Sequence, residues 1–204
     1  MFHSFAVREL VMCPVEAGRL GGQSVKLQVG TEPPPCIQTP RLEMPAGVIK
    51  RQWGGETKTT VELYFRESPA HQAFVEAVEA LDAAVLRQAC LNSHEWFRGC
   101  LSEDQVAMHH SPSLKPDEER GPFLRLNVPP NQVFEAGSVV VPDHAHAAGM
   151  SAVAIIQPLS VWFFNQKFGV RWKVHELCFS SKPCQPLTPA CPFEPEGECL
   201  FKDD

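Results

Sequence analysis

The chain has 204 residues, of which 44% are hydrophobic and 21% charged, and its formal net charge is -6 at pH 7. This length and composition fit one domain with a real core, and the negative charge argues against a uniformly basic protein that coats nucleic acid. We find no apolar run long enough to span a bilayer and no charged-then-apolar leader, so we expect an intracellular chain without a membrane span or signal peptide.

The prolines and cysteines further limit the fold classes and cellular compartments that fit this sequence. Nineteen prolines and a single tyrosine favour short strands and loops over a helical bundle. The eight cysteines include no C-x-x-C pair, which favours free thiols in a reducing compartment. Cys184, Cys191 and Cys199 are spaced too widely for the usual pairs of zinc ligands, so we predict no metal there.

The first third of the chain alternates in the manner of strands. The segment from Ser24 to Val29 places Val25, Leu27 and Val29 on one buried face. The segment from Thr57 to Phe65 has the β-branched and aromatic composition of a strand. Between them, Lys50 and Arg51 precede Trp53 and a Gly pair. Two interpretations stay open: a loop in which Trp53 stacks on a base beside two phosphate-binding cations, or a hairpin corner with a core tryptophan.

Ser68-Pro69 predicts the start of a helix, because Ser is a favoured N-cap and Pro is tolerated in the first turn. Apolar residues then recur at helical spacing as far as Cys90 or Leu91. The stripe comprises Phe74, Val78, Leu81 and Val85. We expect Glu76, Glu79 and Asp82 to form an acidic outer face, which would repel DNA.

The segment after the helix mixes aromatic and basic residues. Trp96-Phe97 precedes the cation Arg98. The polar stretch from Ser102 to Pro122, with Lys115 and Arg120, predicts a surface loop or a loop that becomes ordered on binding. Residues 123–128 return to strict alternation, which places Arg125 on an exposed face.

Asp143, His144 and His146 resemble a metal pair preceded by an acid. Neutral imidazoles bind transition metals, but the sequence offers no third ligand nearby, so a solvated loop is the favoured interpretation. The enzymatic alternative is a metal-dependent β-fold hydrolase or dioxygenase built on these residues.

The clearest structural signal is a β-hairpin over residues 151–179, whose arms flank Asn165-Gln166-Lys167. In its second arm an apolar face that includes Trp172 alternates with a basic face that carries Arg171 and Lys173. We therefore predict Trp172 in the core and an outer groove that meets an anionic partner.

Prolines at three-residue steps from Pro183 to Pro195 predict a stiff, extended tail. It ends in acids with an embedded aromatic residue. The residues that we single out there are Glu194, Glu196, Glu198, Phe201, Asp203 and Asp204. We therefore divide the chain into a domain over 1–180 and a Pro-rich acidic tail over 181–204.

The hairpin carries a resemblance to a known family. An Ile-Ile-Gln strand, Trp162-Phe163, a polar turn and then Lys167-Phe168-Gly169-Val170-x-Trp172-Lys173-Val174 resemble the closing hairpin of the single-stranded DNA-binding proteins of short-tailed phages and large eukaryotic DNA viruses. Trp96-Phe97, Ser113-Leu114-Lys115 and residues 123–129 precede it in the order typical of the viral branch. The resemblance covers roughly residues 55–179 and implies roles in viral DNA replication, recombination or repair.

The resemblance also implies an acidic tail that occupies the DNA groove and recruits a replicative polymerase or helicase. Here Lys202 departs from a purely acidic tail. A solvated terminus that only aids solubility is the alternative interpretation.

We therefore predict a mainly β fold, an oligonucleotide/oligosaccharide-binding (OB) barrel with one inserted amphipathic helix, that binds single-stranded DNA without sequence preference. The predicted nucleic-acid-binding residues are Lys50, Arg51, Trp53, Trp96, Phe97, Lys115, Arg120, Arg125, Trp162, Arg171 and Lys173. We predict no catalytic residue, no cofactor, no metal and no membrane partner, and leave a homodimer open. A virion protein of β-sandwich type is the structural alternative, since it would share the strands but need no basic groove.

Overall fold

The computed structural model describes residues 10–17, 22–53, 56–128 and 148–180. Strands make up 50% of this part and helices 24%, which confirms the prediction of a mainly β protein. In these described ranges, ten strands form one antiparallel sheet, and three helices follow one another between the sixth and seventh strands. Within these ranges no helix is long and apolar enough to cross a membrane.

The strands are β1 (Leu10–Ala17), β2 (Gln23–Val29), β3 (Ile37–Gln38), β4 (Leu42–Met44), β5 (Val48–Trp53), β6 (Glu56–Tyr64), β7 (Leu114–Lys115), β8 (Phe123–Val128), β9 (Met150–Phe164) and β10 (Lys167–Ser180). The helices are α1 (Pro69–Leu91), α2 (Ser93–Phe97) and α3 (Glu103–His109).

The long strand β9 organises the sheet. One of its edges pairs with β10 along the predicted hairpin, and β2, β3 and β4 pair with β9 in succession. Irregularities in the β9–β10 register lie between Arg171 and Trp172 and between Val174 and Glu176. Such bulges increase the local twist of a strand pair.

The remaining strands extend the sheet from β4. Glu43 of β4 pairs with Tyr64 of β6, and β6 then pairs with both β5 and β8. On β8 the alternation is as predicted: Leu124 and Leu126 are fully buried, and Arg125 between them is exposed. The core forms between the inner face of this sheet and helix α1.

Helix α1 begins where the sequence predicts. The Ser68 side chain accepts a hydrogen bond from the backbone N–H of His71, and Pro69 occupies the first turn. The predicted apolar stripe is buried, but the expectation that Asp82 lies on the outer face is wrong. Asp82 is only 7% exposed because its carboxylate accepts hydrogen bonds from Ser113 inside the protein.

Part of the predicted surface loop from Ser102 to Pro122 is helical. Ser102 and Gln105 form a capping box at the start of α3, in which each side chain accepts from the other residue's backbone N–H. Ser-x-x-Gln before a short amphipathic run is a recognised helix signal, which the polar composition of the segment obscured.

The segment after α3 joins the hairpin. His110 forms a parallel β-bridge with Phe168, and the Ser111 backbone N–H donates a hydrogen bond to the Phe168 carbonyl at 2.8 Å. A Cβ atom at Gly169 would lie 2.5 Å from the Ser111 carbonyl oxygen. Glycine is therefore required at 169 for this close approach of two backbones.

Candidate functional site

A groove of about 430 Å³ lies on the outer face of the sheet, between β8 and the β9–β10 hairpin. Residues from five segments line it: β6, the stretch 111–115, β8, β9 and β10. Its basic side chains are Lys58, Lys115, Arg125 and Arg171, and its aromatic side chains are Trp162, Phe164 and Trp172. No acidic residue belongs to this lining in the described part of the chain.

The first wall of the groove consists of side chains of β6 and β8 that face away from the core. Leu124 and Leu126 turn into the core, so Arg125 and Asn127 of β8 face the groove. Val61 of β6 is also buried. Lys58 lies three residues before Val61, so its side chain lies on the opposite, outer face of the strand.

The opposite wall is the end of the hairpin. Trp162 is paired with Gly169, and a Cβ there would lie 3.2 Å from the indole ring, so the ring lies directly over the glycine. Phe164, two residues further along, is 67% exposed. The turn after it is a two-residue loop in which Asn165 and Gln166 both have positive φ, as in a type I′ turn.

A buried hydrogen-bonded network fixes the floor of the groove. The Asp82 carboxylate accepts from the Ser113 backbone N–H at 2.6 Å and from its hydroxyl at 2.8 Å. The Trp172 indole N–H donates to the same hydroxyl oxygen at 3.0 Å. Burial raises the pKa of Asp82, and the bonds from Ser113 oppose that effect. This network confirms the prediction that Trp172 belongs to the core and ties α1 to β10.

Lys115 is a half-buried cation above this floor. Its ammonium donates to the Ser111 hydroxyl at 2.8 Å. Burial is the main cause that lowers the pKa of Lys115; Asp82 opposes this effect, and the positive charge of Arg125 reinforces it. An anion bound beside Lys115 would relieve both the desolvation and the repulsion.

His110 lies next to the same cluster. Burial lowers its pKa, against the attraction of Asp82, and its Nε2 is buried without a hydrogen-bond partner among the described residues. The imidazole is therefore held in its neutral form at physiological pH.

The four cations differ in how far they are neutralised. A guanidinium nitrogen of Arg125 lies 2.7 Å from the Glu62 carboxylate, and the guanidinium carbon lies 5.5 Å from the centroid of the Phe123 ring. Lys115 and Arg171 form no ion pair within the described ranges. These two side chains are consequently the strongest candidates for contact with an external anion.

Four of the predicted binding residues meet in this groove: Lys115, Arg125, Trp162 and Arg171. Arg51 is exposed and pairs with Lys58, so the two share a face of the sheet beside the groove. Lys50 is exposed too, but the period of two in a strand places it on the opposite face from Arg51.

Other predicted residues lie elsewhere. Trp96 is only 4% exposed and packs edge-on against Phe163, with ring centroids 5.5 Å apart, so it is a core residue and not a stacking surface. Phe97 is half-buried and packs on Phe163 and Phe168, away from this groove. Lys173 is exposed but does not line the groove.

Arg120 lines a different cavity, of about 870 Å³, beside the N-terminus of α1. That cavity also contains Arg66, whose guanidinium lies 2.6 Å from the Glu43 carboxylate. Glu67 and Glu119 complete its acidic lining. Arg120 and the groove residues therefore belong to separate surfaces.

Several predictions fall outside the described residues. The Trp53 side chain, the whole tail with Glu194, Glu196, Glu198, Phe201, Asp203 and Asp204, and the segment with Asp143, His144 and His146 are among them. Within the described ranges no group of three or more His, Cys, Asp or Glu side chains could hold a metal ion.

Sequence reasoning missed Lys58, Asn127 and Phe164. Lys58 and Asn127 each carried a signal, since both occupy polar positions in an alternating strand. Phe164 is one of four consecutive apolar residues in Val161-Trp-Phe-Phe164, and periodicity alone gives no reason to expect its exposure.

Residues 70–190, more than half of the chain, match the family described as DUF5871, a family of unknown function. The chain belongs to this family. No curated protein and no solved structure matches the chain.

Proposed function

We propose that this member of a family of unknown function binds single-stranded DNA without sequence preference, through the groove between β8 and the hairpin. The observation that carries the proposal is the convergence of four cations and two accessible aromatic rings, with no acid in the lining, in a chain whose net charge is -6. A local cationic groove with stacking surfaces is the usual arrangement for binding single strands. The protein acts by binding and has no catalytic role.

Phosphates occupy the cationic side of the groove. Lys115 and Arg171 form no ion pair within the described residues, and the desolvated ammonium of Lys115 gains most from an incoming negative charge. Arg125 shares its charge with Glu62 and contributes less. Lys58, with Arg51 beside it, extends the positive surface along β6.

Bases stack on the aromatic side. Phe164 is largely exposed, and Trp162 is half-buried over Gly169. Every base has a π-face, so stacking gives affinity without sequence preference, on the order of 1 to 3 kcal/mol per base. Single strands are preferred over duplexes because only unpaired bases can reach these rings.

We further propose that the domain is an OB-like barrel with α1 inserted between its strands. Support comes from the His110–Phe168 bridge and the Ser111–Phe168 hydrogen bond, which link the residues before β7 directly to β10. OB folds bind oligonucleotides on the outer face of such a barrel. The resemblance of the hairpin to viral and phage single-stranded DNA-binding proteins supports a place in viral DNA replication, recombination or repair.

The test is a fluorescence anisotropy titration of labelled oligothymidylate and of a duplex of equal length at several salt concentrations. We expect the single strand to bind more tightly, with a slope of log affinity against log salt of about -2 to -3, since three to four phosphates are neutralised. Equal affinity for both nucleic acids, or no salt dependence, would overturn the proposal. A structural virion protein of sandwich type would give no binding at all.

The double variant Lys115→Ala with Arg171→Ala localises the site. Two lost phosphate contacts should reduce the magnitude of the salt slope by about 1.4. Arg87→Ala is the matched control, because Arg87 is exposed on α1 and lines neither the groove nor the cavity at the α1 N-terminus. An unchanged slope in the double variant would remove the groove from the proposal.

In this proposal the acidic tail competes with DNA for the groove. An acidic peptide on a proline-rich spacer near a cationic groove has a high effective concentration there, so residues 194–204 compete with DNA and are released to bind a polymerase or helicase. Deleting 194–204 should tighten DNA binding at low salt, with the difference vanishing as salt screens both competitors. Equal affinities at low salt would leave only a role in solubility.

A further inference from the structure

A second cavity, of about 700 Å³, surrounds the turn of the hairpin next to the groove. Phe164 lines both this cavity and the groove, so one exposed ring forms a wall common to the two. The volume lies in the range of about 300 to 1,000 Å³ that is typical of small-ligand sites. We name it the tip cavity, since it surrounds the hairpin turn.

The inner part of the tip cavity is aromatic. Phe97 and Phe163 pack at 5.9 Å, and His109 stacks on Phe97 at 6.2 Å with 29° between the ring planes. Trp96 closes the cluster from the core side. Flat aromatic rings at the base of an open cavity can receive another flat ring.

The rim of the tip cavity is polar and cationic. Arg98 is exposed and forms no ion pair in the described residues, and Lys167 lies beside it with its ammonium bonded to the Met108 carbonyl at 2.6 Å. The Gln23 and Asn165 side-chain amides add hydrogen-bonding groups. As in the groove, no acidic residue belongs to the described lining.

We propose that the tip cavity is a second nucleotide subsite, which receives a base and phosphate of the same single strand after it crosses Phe164. The inference rests on the proposed function, because it extends the path of that strand. Two observations support a nucleotide as the occupant: the shared Phe164 wall makes the two sites continuous, and the acid-free cationic rim has the charge that complements phosphate. The base stacks over the Phe97 and His109 side, and Arg98 contacts the phosphate.

The test compares two lengths of oligothymidylate, about 5 and about 15 nucleotides, which bracket the usual site sizes of such domains. We expect Arg98→Ala to weaken binding of the longer oligonucleotide about threefold to tenfold and to leave the shorter one unchanged, since the shorter one fills only the groove. Arg87→Ala is again the control and should change neither affinity.

The outcomes separate the two proposals. If the wild-type protein binds neither length, both the function and the subsite are overturned. If it binds both and Arg98→Ala matches Arg87→Ala, only the subsite is overturned, and a peptide or a second copy of the chain becomes the better occupant. An equal loss for both lengths would make the tip cavity part of the primary site and would also overturn a second one.

A cross-linking measurement gives a readout that does not depend on affinity. Iodouracil-substituted oligothymidylate reacts on irradiation with aromatic side chains that it stacks on. We expect cross-links of the longer oligonucleotide to Phe97 or His109 as well as to Phe164, and of the shorter one to Phe164 or Trp162 only. Absence of cross-links at Phe97 and His109 with the longer oligonucleotide would contradict the subsite.

Discussion

The groove and the cavity at the N-terminus of α1 are both concave and both contain arginine, yet their charges are arranged differently. In the α1 cavity Arg66 is paired with Glu43, and Glu67 and Glu119 also line the walls. The groove has about half the volume, no acid in its described lining, and an exposed aromatic ring. Unmatched charge therefore identifies the better candidate for an anionic ligand, whereas size would have selected the other cavity.

Beneath each of the two regions, one buried titratable residue holds neighbouring segments together by hydrogen bonds. His71 is 3% exposed; its Nδ1 accepts from the Arg66 backbone N–H, and its Nε2 donates to the Arg41 carbonyl. Burial is the main cause that lowers the pKa of His71, which keeps the ring neutral. Under the groove the corresponding residue is Asp82, which holds Ser113 and, through it, Trp172. The floors of the two regions are fixed in similar ways, so the difference lies in what faces solvent.

The largest expected effect follows from removing the support of the groove. Asp82→Ala leaves the buried N–H and hydroxyl of Ser113 without their acceptor, so we expect the free energy of unfolding to fall by about 3 kcal/mol. Urea unfolding at pH 7 measures this loss. Glu79→Ala, at an exposed position of the same helix, should stay within about 0.5 kcal/mol of wild type. Similar values for the two variants would contradict the role of the network.

Charge reversal compares the two regions directly. Arg171→Glu places a negative charge among the cations of the groove, and we expect it to weaken single-strand binding about tenfold or more at low salt. Arg120→Glu makes the same change in the α1 cavity and should alter affinity less than about twofold, since acids already line that region. A larger loss of affinity for Arg120→Glu than for Arg171→Glu in an anisotropy titration would contradict the choice of the groove as the binding site.

Removing the exposed ring tests stacking apart from charge. Phe164→Ala should weaken binding about fivefold to tenfold, because one stacked base loses its partner, while the salt slope stays as in wild type. Leu91→Ala is matched to it, since Leu91 is a 72% exposed apolar residue at the end of α1. Equal affinities for the two variants would exclude Phe164 as a stacking surface.

The smallest effect concerns pH. The lowered pKa of Lys115 means that its ammonium loses its proton before an ordinary lysine does as the pH rises. Affinity for oligodeoxyadenylate, whose bases do not titrate in this range, should therefore decline about twofold to threefold between neutral pH and about pH 10. Lys115→Arg should reduce the decline, because the guanidinium stays charged. A decline of the same size in Lys115→Arg would assign it to another group.

Local patterns determined much of the outer surface of this protein. The alternation of residues 123–128 predicted the exposure of Arg125, and the second arm of the hairpin predicted both the core position of Trp172 and the exposure of Arg171. These predictions hold because the period of two is a property of the strand itself and does not depend on its neighbours. Ser68-Pro69 predicted the start of α1 for the same reason, since capping is satisfied within one turn.

Only the tertiary structure decided which exposed residues lie together. Arg120 and Lys115 are five residues apart in a stretch that composition treats as one loop, yet they line separate cavities. Trp96 precedes Phe97-Arg98 in the sequence and so resembles a stacking residue beside a cation, but Phe163 of the hairpin packs against Trp96 and buries it. Asp82 resembles Glu79 in sequence and is buried because Ser113, 31 residues away, supplies two donors. Whether a polar or aromatic side chain is buried depends on partners that distant segments of the chain supply. The periodicity of the local sequence contains no information about those partners.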